Sequence, residues 1–208
     1  MNGENSSQTF KERYLNAKSL SYFAILLTLV VVLQLWGGTI RIGIAEFSLV
    51  LLPIVLGGIL LGPIAGMLLG LVFGIIVYLQ GVFGVSAFTM ILFLDHPIIT
   101  AFVCLGKGLF CGLGAGVAYS LIKNKNKIVA CYVASALCPI INTGLFILGA
   151  LFMSDTLSQN FVQSGETVIY FLVIGCAGIN FIVEFLANVI CAPVIARVTE
   201  IIEKTIKK

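Results

Sequence analysis

Residues 47–74 read FSLVLLPIVLGGILLGPIAGMLLGLVFG, an uncharged stretch in which two apolar runs meet at Gly62-Pro63. The stretch does not alternate between apolar and polar residues, as a strand of a membrane β-barrel does. A helix that crosses the hydrocarbon core of a bilayer needs roughly 20 apolar residues, and proline suits the first turn of a helix. The stretch therefore predicts two consecutive membrane helices with a sharp turn between them.

The same apolar character extends over most of the 208 residues. Hydrophobic residues make up 60% of the chain and charged residues 10%, against about 25% charged residues in soluble domains. We expect an all-α integral membrane bundle of six transmembrane helices, at residues 19–36, 47–61, 63–79, 97–122, 128–153 and 167–198. They form one domain, residues 19–200, between a cytoplasmic lead at 1–18 and a basic cytoplasmic tail at 201–208.

The placement of charge predicts the orientation of this bundle. With six spans, four acidic residues fall on one side of the membrane: Glu46, Asp95, Asp155 and Glu166. The other side receives ten of the twelve basic residues: Lys11, Arg13, Lys18, Lys123, Lys125, Lys127, Arg197, Lys204, Lys207 and Lys208. Because basic residues accumulate on the cytoplasmic side, both termini are expected there.

The sequence lacks the motifs by which this chain could hydrolyse ATP or carry out zinc-dependent catalysis by itself. It has no G-x-x-x-x-G-K-[ST] phosphate loop and no H-E-x-x-H zinc motif, and His96 is its one histidine. The six cysteines lie in apolar runs without a C-x-x-C pair, so we interpret them as small buried side chains. We therefore predict no metal, no cofactor and no enzymatic activity, and any ATP must be hydrolysed by another subunit.

Small residues recur in three rows, every four positions in the first two and every three or four positions in the third. The first row is Gly58, Gly62, Gly66, Gly70 and Gly74; the second is Gly108, Gly112 and Gly116; the third, on the first span, is Ala17, Ser21, Ala24 and Thr28. Small residues on one helical face let two membrane helices approach closely. Each row predicts either tight packing within the bundle or a surface on which a partner docks.

Polar residues inside the spans are the candidate ligand-binding residues. Asn180, Glu184 and Asn188 share one face of the sixth span, because they are four residues apart. An acid at this depth is costly, so it should face the protein interior or water. Lys107 on the fourth span either pairs with Glu184 or snorkels to a surface, or else these groups line a pocket for a polar ligand.

Three further features complete the candidate site. Asn142 adds an amide just after Pro139, a proline expected to interrupt the fifth span. Arg41, near the outer mouth, is either solvated or placed to bind a carboxylate with two hydrogen bonds. Residues 80–96 form an outer segment broken by glycines, and a partly inserted loop or a lid is expected there.

The sequence resembles the substrate-binding S component of energy-coupling factor (ECF) vitamin transporters. The resemblance is carried by the run from Phe47 to Gly66, by Gly106-Lys107-Gly108 with the glycines that follow, and by the small residues of the first helix. The usual first-helix motif of the family is A-x-x-x-A; here the nearest frames are Ala17-x-x-x-Ser21 and Ala24-x-x-x-Thr28.

The resemblance implies a vitamin-binding subunit in a bacterial cytoplasmic membrane. The vitamin would bind near the outer face, between the first outer loop and the fourth to sixth helices. The first helix would dock on a membrane scaffold subunit that is coupled to two cytoplasmic ATPases, and the subunit would topple in the membrane to release the vitamin inside. The partners are thus a vitamin, these subunits and the lipid bilayer, and no nucleic acid.

Among its subtypes, the sequence looks most like the pantothenate branch. Lys107 or Arg41 would then bind the carboxylate of pantothenate, and Asn142, Asn180 and Asn188 its polar middle, beside Glu184. Pyridoxine, riboflavin, folate or hydroxymethylpyrimidine would use similar groups and are the alternatives.

Two other classes of function compete with a binding subunit. An intramembrane enzyme needs a nucleophile with a base, or a two-metal carboxylate site, and the spans hold one acid and one lysine. A self-sufficient secondary carrier often shows inverted repeats, and the two halves of this chain show no clear repeat. The sequence favours the binding subunit over both.

Overall fold

The computed structural model describes residues 17–37, 41–42, 45–46, 49–162 and 165–206. Among them are these α-helices: α1 (Ala17–Gly37), α2 (Leu51–Leu60), α3 (Pro63–Val82), α4 (Ala87–Asp95), α5 (Pro97–Ile122), α6 (Lys127–Leu151), α7 (Ser154–Asn160), α8 (Val168–Tyr170) and α9 (Ile179–Ile206). A π-helical segment, Phe171–Gly178, joins α8 to α9 without a break. Two short strands, β1 (Arg41–Ile42) and β2 (Ala45–Glu46), pair antiparallel.

Five of the described helices are long and apolar enough to cross a membrane: α1, α3, α5, α6 and the continuous helix Val168–Ile202. They coincide with five of the six expected spans to within a few residues, apart from α9, which continues to Ile206. The second expected span contains α2, whose ten residues extend about 15 Å. This architecture, long apolar helices with one short hairpin among the described residues, is that of a multi-pass membrane protein.

The short helix α2 lies in the middle of the bundle and contacts α1, α3, α5, α6 and α9. Leu51, Ile54 and Val55 of α2 are completely buried. They form the main core together with Leu26 and Val30 of α1 and with residues of α3, α5 and α6. The first apolar run of residues 47–74, which contains α2, is therefore the centre around which the longer helices pack.

The glycine rows bring α3 and α5 into direct backbone contact. A Cβ added at Gly66 would lie 2.6 Å from the carbonyl oxygen of Gly112, and one added at Gly70 would overlap the carbonyl of Gly108. Likewise, a Cβ added at Gly112 would overlap the carbonyl of Gly66, and one added at Gly108 would overlap that of Gly70. The prediction of close packing within the bundle is confirmed for these two rows. Gly62, with φ of 104°, makes the turn from α2 into α3, a conformation that favours glycine.

The expected interruption of the fifth span at Pro139 is wrong, because α6 is continuous from Lys127 to Leu151 with the proline inside it. The missing N–H of Pro139 leaves the carbonyl of Ser135 without its helical partner. A helix between other helices tolerates this loss, since neighbouring groups can satisfy the freed backbone. Pro139 is itself buried in the bundle.

The end of the bundle that carries the β1–β2 hairpin, α4 and α7 is called the hairpin end. Residues 80–96 are largely helical there: α3 extends to Val82, and Ser86 caps α4 by accepting a hydrogen bond from the N–H of Thr89. α4 packs on α3, α5 and α7. The opposite end, with the link at residues 123–126 between α5 and α6, is called the lysine-link end.

Candidate functional site

The three polar residues of α9 form a hydrogen-bonded row. The Asn180 side-chain amide donates to Oε1 of Glu184 at 3.4 Å, and the Asn188 amide donates to the backbone carbonyl of Glu184 at 2.8 Å. Glu184 is 4% exposed and Asn188 1% exposed. The expectation that this acid faces the protein interior is confirmed by its burial.

Several oxygens of the candidate site are buried without a hydrogen-bond partner. They are Oδ1 of Asn142, Oδ1 of Asn180, Oε2 of Glu184, Oδ1 of Asn188 and Oγ of Ser135. Four of the five belong to carbonyl or carboxylate groups, which accept hydrogen bonds and cannot donate them. A buried acceptor without a donor costs about 1–3 kcal/mol. The site therefore has the chemistry to bind a molecule that brings several donors.

Lys107 of α5 lies between two aromatic rings. Its ammonium is 5.4 Å from the ring centroid of Phe73 on α3 and 5.4 Å from that of Phe146 on α6. It interacts electrostatically with Glu184, but no ion pair joins these two described side chains. Of the three sequence hypotheses for Lys107, direct pairing with Glu184 is not what the structure shows. The rings hold the cation by cation–π attraction and leave its N–H donors available to a ligand.

Asn142 lies on the face of α6 that is turned toward α9. Cys138, one helical turn before it, interacts electrostatically with Glu184, and residues four apart share a helical face. Lys107, Asn142 and Asn180 are about ten residues from the ends of their helices at the hairpin end. At a rise of about 1.5 Å per residue, each lies roughly 15 Å from that end of the bundle. Helices α5, α6 and α9 thus place these residues at a similar depth, in the half of the bundle nearer the hairpin.

For Arg41 the structure describes the position of the backbone only. It lies in β1 opposite Glu46 of β2, and β2 contacts both the π-helical segment and α9. The hairpin is therefore next to the part of the last helix that carries Asn180. The side chain of Arg41 lies outside the described residues, so its proposed contact with a carboxylate stays a prediction.

Sequence reasoning missed Phe73, Phe146 and Ser135 as parts of this site. Phe146 and Ser135 lie four residues after and seven residues before Asn142, so the helical period alone could have found them. Phe73 precedes Gly74 of the glycine row, and nothing in the sequence pairs it with Lys107. The ring of Phe146 also contacts that of Phe88 of α4, with the centroids 5.9 Å apart.

The small-residue row of α1 is on the outside of the bundle. Ala17, Ser21, Ala24 and Thr28 are all exposed. Oγ of Ser21 donates to the carbonyl of Ala17 and Oγ1 of Thr28 to that of Ala24, both at 2.9 Å. Both hydroxyls are thus satisfied within the helix, and the row presents a smooth face. Of the two sequence hypotheses for this row, internal packing does not hold in this structure.

The cysteines and acids of the described residues do not gather into a group of three or more that could hold a metal ion. Cys104, Cys111, Cys131, Cys138 and Cys176 are buried, Cys191 is partly buried, and none of these described cysteines is in a disulfide. They pack as small apolar side chains, as the sequence predicts.

Comparison with known proteins gives one family. The family model described as "ECF transporter, substrate-specific component" matches residues 18–196. No match is found among curated proteins. The matched residues extend from the beginning of α1 to α9. They include Lys107, Asn142, Asn180, Glu184 and Asn188, which are together called the polar cluster. The chain therefore belongs to the substrate-specific component family of ECF transporters, a family of membrane transporter subunits and not of enzymes.

Proposed function

We propose that this protein binds a small water-soluble vitamin from outside the cell, in the polar cluster of α5, α6 and α9. The single observation behind this proposal is the set of buried oxygens without donors on Asn142, Asn180, Glu184 and Asn188. Such a set is costly in an apolar bundle unless a ligand supplies the missing donors. Membership in the transporter family supports a transported small molecule as that ligand.

The chemistry of the cluster favours pantothenate among the vitamins. Pantothenate has two hydroxyls and an amide N–H, which are the donors that the asparagine and glutamate oxygens lack. Its carboxylate needs a cation, and Lys107 is partly exposed between its two rings. Pyridoxine and hydroxymethylpyrimidine have no carboxylate, while riboflavin and folate are considerably larger. These four remain the alternatives.

Delivery of the vitamin requires other subunits in this proposal. The smooth exposed row of α1 docks on a membrane scaffold subunit that is coupled to two cytoplasmic ATPases. The bundle lies in a bacterial cytoplasmic membrane, with the basic lysine-link end and both termini in the cytoplasm. Six spans are completed by α2, with the apolar residues that flank it.

A calorimetric screen of the purified chain tests the ligand. The chain alone, in neutral detergent, is titrated with pantothenate, pyridoxine, riboflavin, folate and hydroxymethylpyrimidine. We expect nanomolar binding of pantothenate with a stoichiometry of one and no heat from turnover. Tight binding of another vitamin would replace pantothenate but keep the binding subunit, whereas conversion of a ligand to product would contradict the proposed function.

A further inference from the structure

At the lysine-link end, far from the polar cluster, a cleft of about 340 Å³ opens between α5, α6 and α9. Ile128 and Cys131 of α6 and Pro193 and Ala196 of α9 form apolar walls. Thr199, which also lines the cleft, is already satisfied because its hydroxyl donates to the carbonyl of Ile195 at 2.7 Å. The inner surface of the cleft thus suits a hydrocarbon or glycerol group better than a polar metabolite.

The rim of the cleft is positively charged. Lys127 and Arg197 line it, and Nζ of Lys123 lies 5.9 Å from the ring centroid of Tyr119, another lining residue. The rim also has one acid, Glu200, which forms a salt bridge with Arg197 at 3.5 Å. Among the described side chains of the rim, basic groups therefore outnumber acidic ones. The N-terminal end of α6 at Lys127 adds further positive charge through the helix dipole.

Exposed apolar side chains border this cleft. Ile128, Val194 and Ile201, on and beside its walls, are 59%, 61% and 64% exposed. Apolar side chains this exposed on a membrane protein face acyl chains. The cleft therefore opens where the apolar surface of the bundle meets its basic end, which is the depth of the phospholipid phosphates and glycerols.

We propose that this cleft binds an anionic phospholipid, with its phosphate on Lys127 and Arg197 and its glycerol and first acyl carbons against Ile128, Pro193 and Ala196. An uncharged lipid would not match the charge of the rim, and a free phosphate ion would leave the apolar walls uncovered. Basic pockets between membrane helices are known to bind anionic headgroups through this combination of charge and apolar surface.

Native mass spectrometry of the full chain tests the proposal, with phosphatidylglycerol and phosphatidylcholine as the probes. We expect the wild-type chain to retain phosphatidylglycerol at least tenfold better than phosphatidylcholine. The double variant Lys127→Gln/Arg197→Gln should lose about tenfold of that retention, because each basic group near a lipid headgroup contributes substantially to binding. Lys125→Gln is the matched control, since Lys125 is on the adjacent link but does not line the cleft.

A second variant fills the cleft without changing its charge. Ala196→Phe should also reduce the retention of phosphatidylglycerol about tenfold, and circular dichroism with size-exclusion elution confirms folding of each variant. Equal retention of the two lipids by the wild-type chain would overturn the proposal, whatever the variants do. So would a stabilisation by sodium phosphate that equals that by phosphatidylglycerol, which indicates a free-anion site, or a dimer that the double variant abolishes, which indicates a second copy on this surface.

Discussion

Asn180 donates a hydrogen bond to one carboxylate oxygen of Glu184 at 3.4 Å, and the other oxygen, Oε2, is buried without a partner. Half of this carboxylate is thus held in place by its own helix and half is presented to the interior of the bundle. Asn188 donates to the backbone carbonyl of Glu184 through its side-chain nitrogen, and its side-chain oxygen is also buried without a partner. The row on α9 is preorganised to accept hydrogen bonds from a bound molecule.

Replacing Asn180 by alanine should weaken vitamin binding tenfold or more. The variant removes one acceptor from the site and also releases Oε1 of Glu184 from its donor. A tenfold loss corresponds to about 1.4 kcal/mol, the size of one well-placed polar contact. Calorimetric titration measures it, and Asn124→Ala, on the exposed link at the other end, is the control. Unchanged affinity in a folded variant would remove Asn180 from the site.

Lys107→Ala should weaken binding of an anionic vitamin by tenfold or more, because its ammonium lies between Phe73 and Phe146 and interacts electrostatically with Glu184 of the candidate site. Binding of an uncharged analogue, such as the amide of pantothenate, should change much less. The comparison of acid and amide ligands by titration separates recognition of charge from a general loss of packing, with Lys125→Ala as the control. Equal losses for both ligands would mean that Lys107 does not bind the carboxylate.

Gly112→Ala should destabilise the protein by about 1–3 kcal/mol, because the added methyl overlaps the backbone of α3 at Gly66. The matched control is Gly106→Ala on the same helix, where an added Cβ meets nothing within 4 Å. Alanine is the better helix former, so the control should be as stable as wild type or slightly more stable. Thermal unfolding in detergent measures both variants, and similar melting temperatures would contradict the α3–α5 packing.

Ala24→Trp should leave vitamin binding intact and abolish uptake by the assembled transporter. The indole would project from the smooth row of α1 into the space of the scaffold subunit. Leu29→Trp is the control, because Leu29 is 43% exposed on the same helix but outside the row. Uptake assays in cells that express the whole transporter, with binding measured on the purified chain, distinguish the two effects. Normal uptake by Ala24→Trp would place the interface elsewhere.

The sequence predicts the long helices well, because hydropathy and the Gly-Pro and lysine-link breaks mark them directly. It does not predict that the short helix α2 is the most enclosed element, since an apolar run is equally consistent with a lipid-facing or a buried helix. The predicted interruption at Pro139 is wrong for a related reason, because the effect of a proline depends on whether neighbouring groups stabilise the helix around it. The helical character of residues 80–96 also comes from packing of α4 on α3 and α5.

The sequence likewise predicts one part of the candidate site and not another. The spacing of Asn180, Glu184 and Asn188 predicts their common face, because that depends only on the period of the helix. The partner of Lys107 could not be predicted, since Phe73 and Phe146 approach it from two other helices. Charge suggests Glu184 as the partner, but the position of the aromatic rings depends on how α3, α5 and α6 pack together.

The most direct test of the account is vitamin accumulation by the purified chain alone, reconstituted in proteoliposomes. The same preparation is first titrated to establish the number of vitamin sites. We predict that it binds one vitamin per chain and accumulates none against a concentration gradient, with or without an ion gradient, until the scaffold and ATPase subunits are added with ATP. Accumulation by the lone chain would contradict the account, because the chain would then be a self-sufficient carrier.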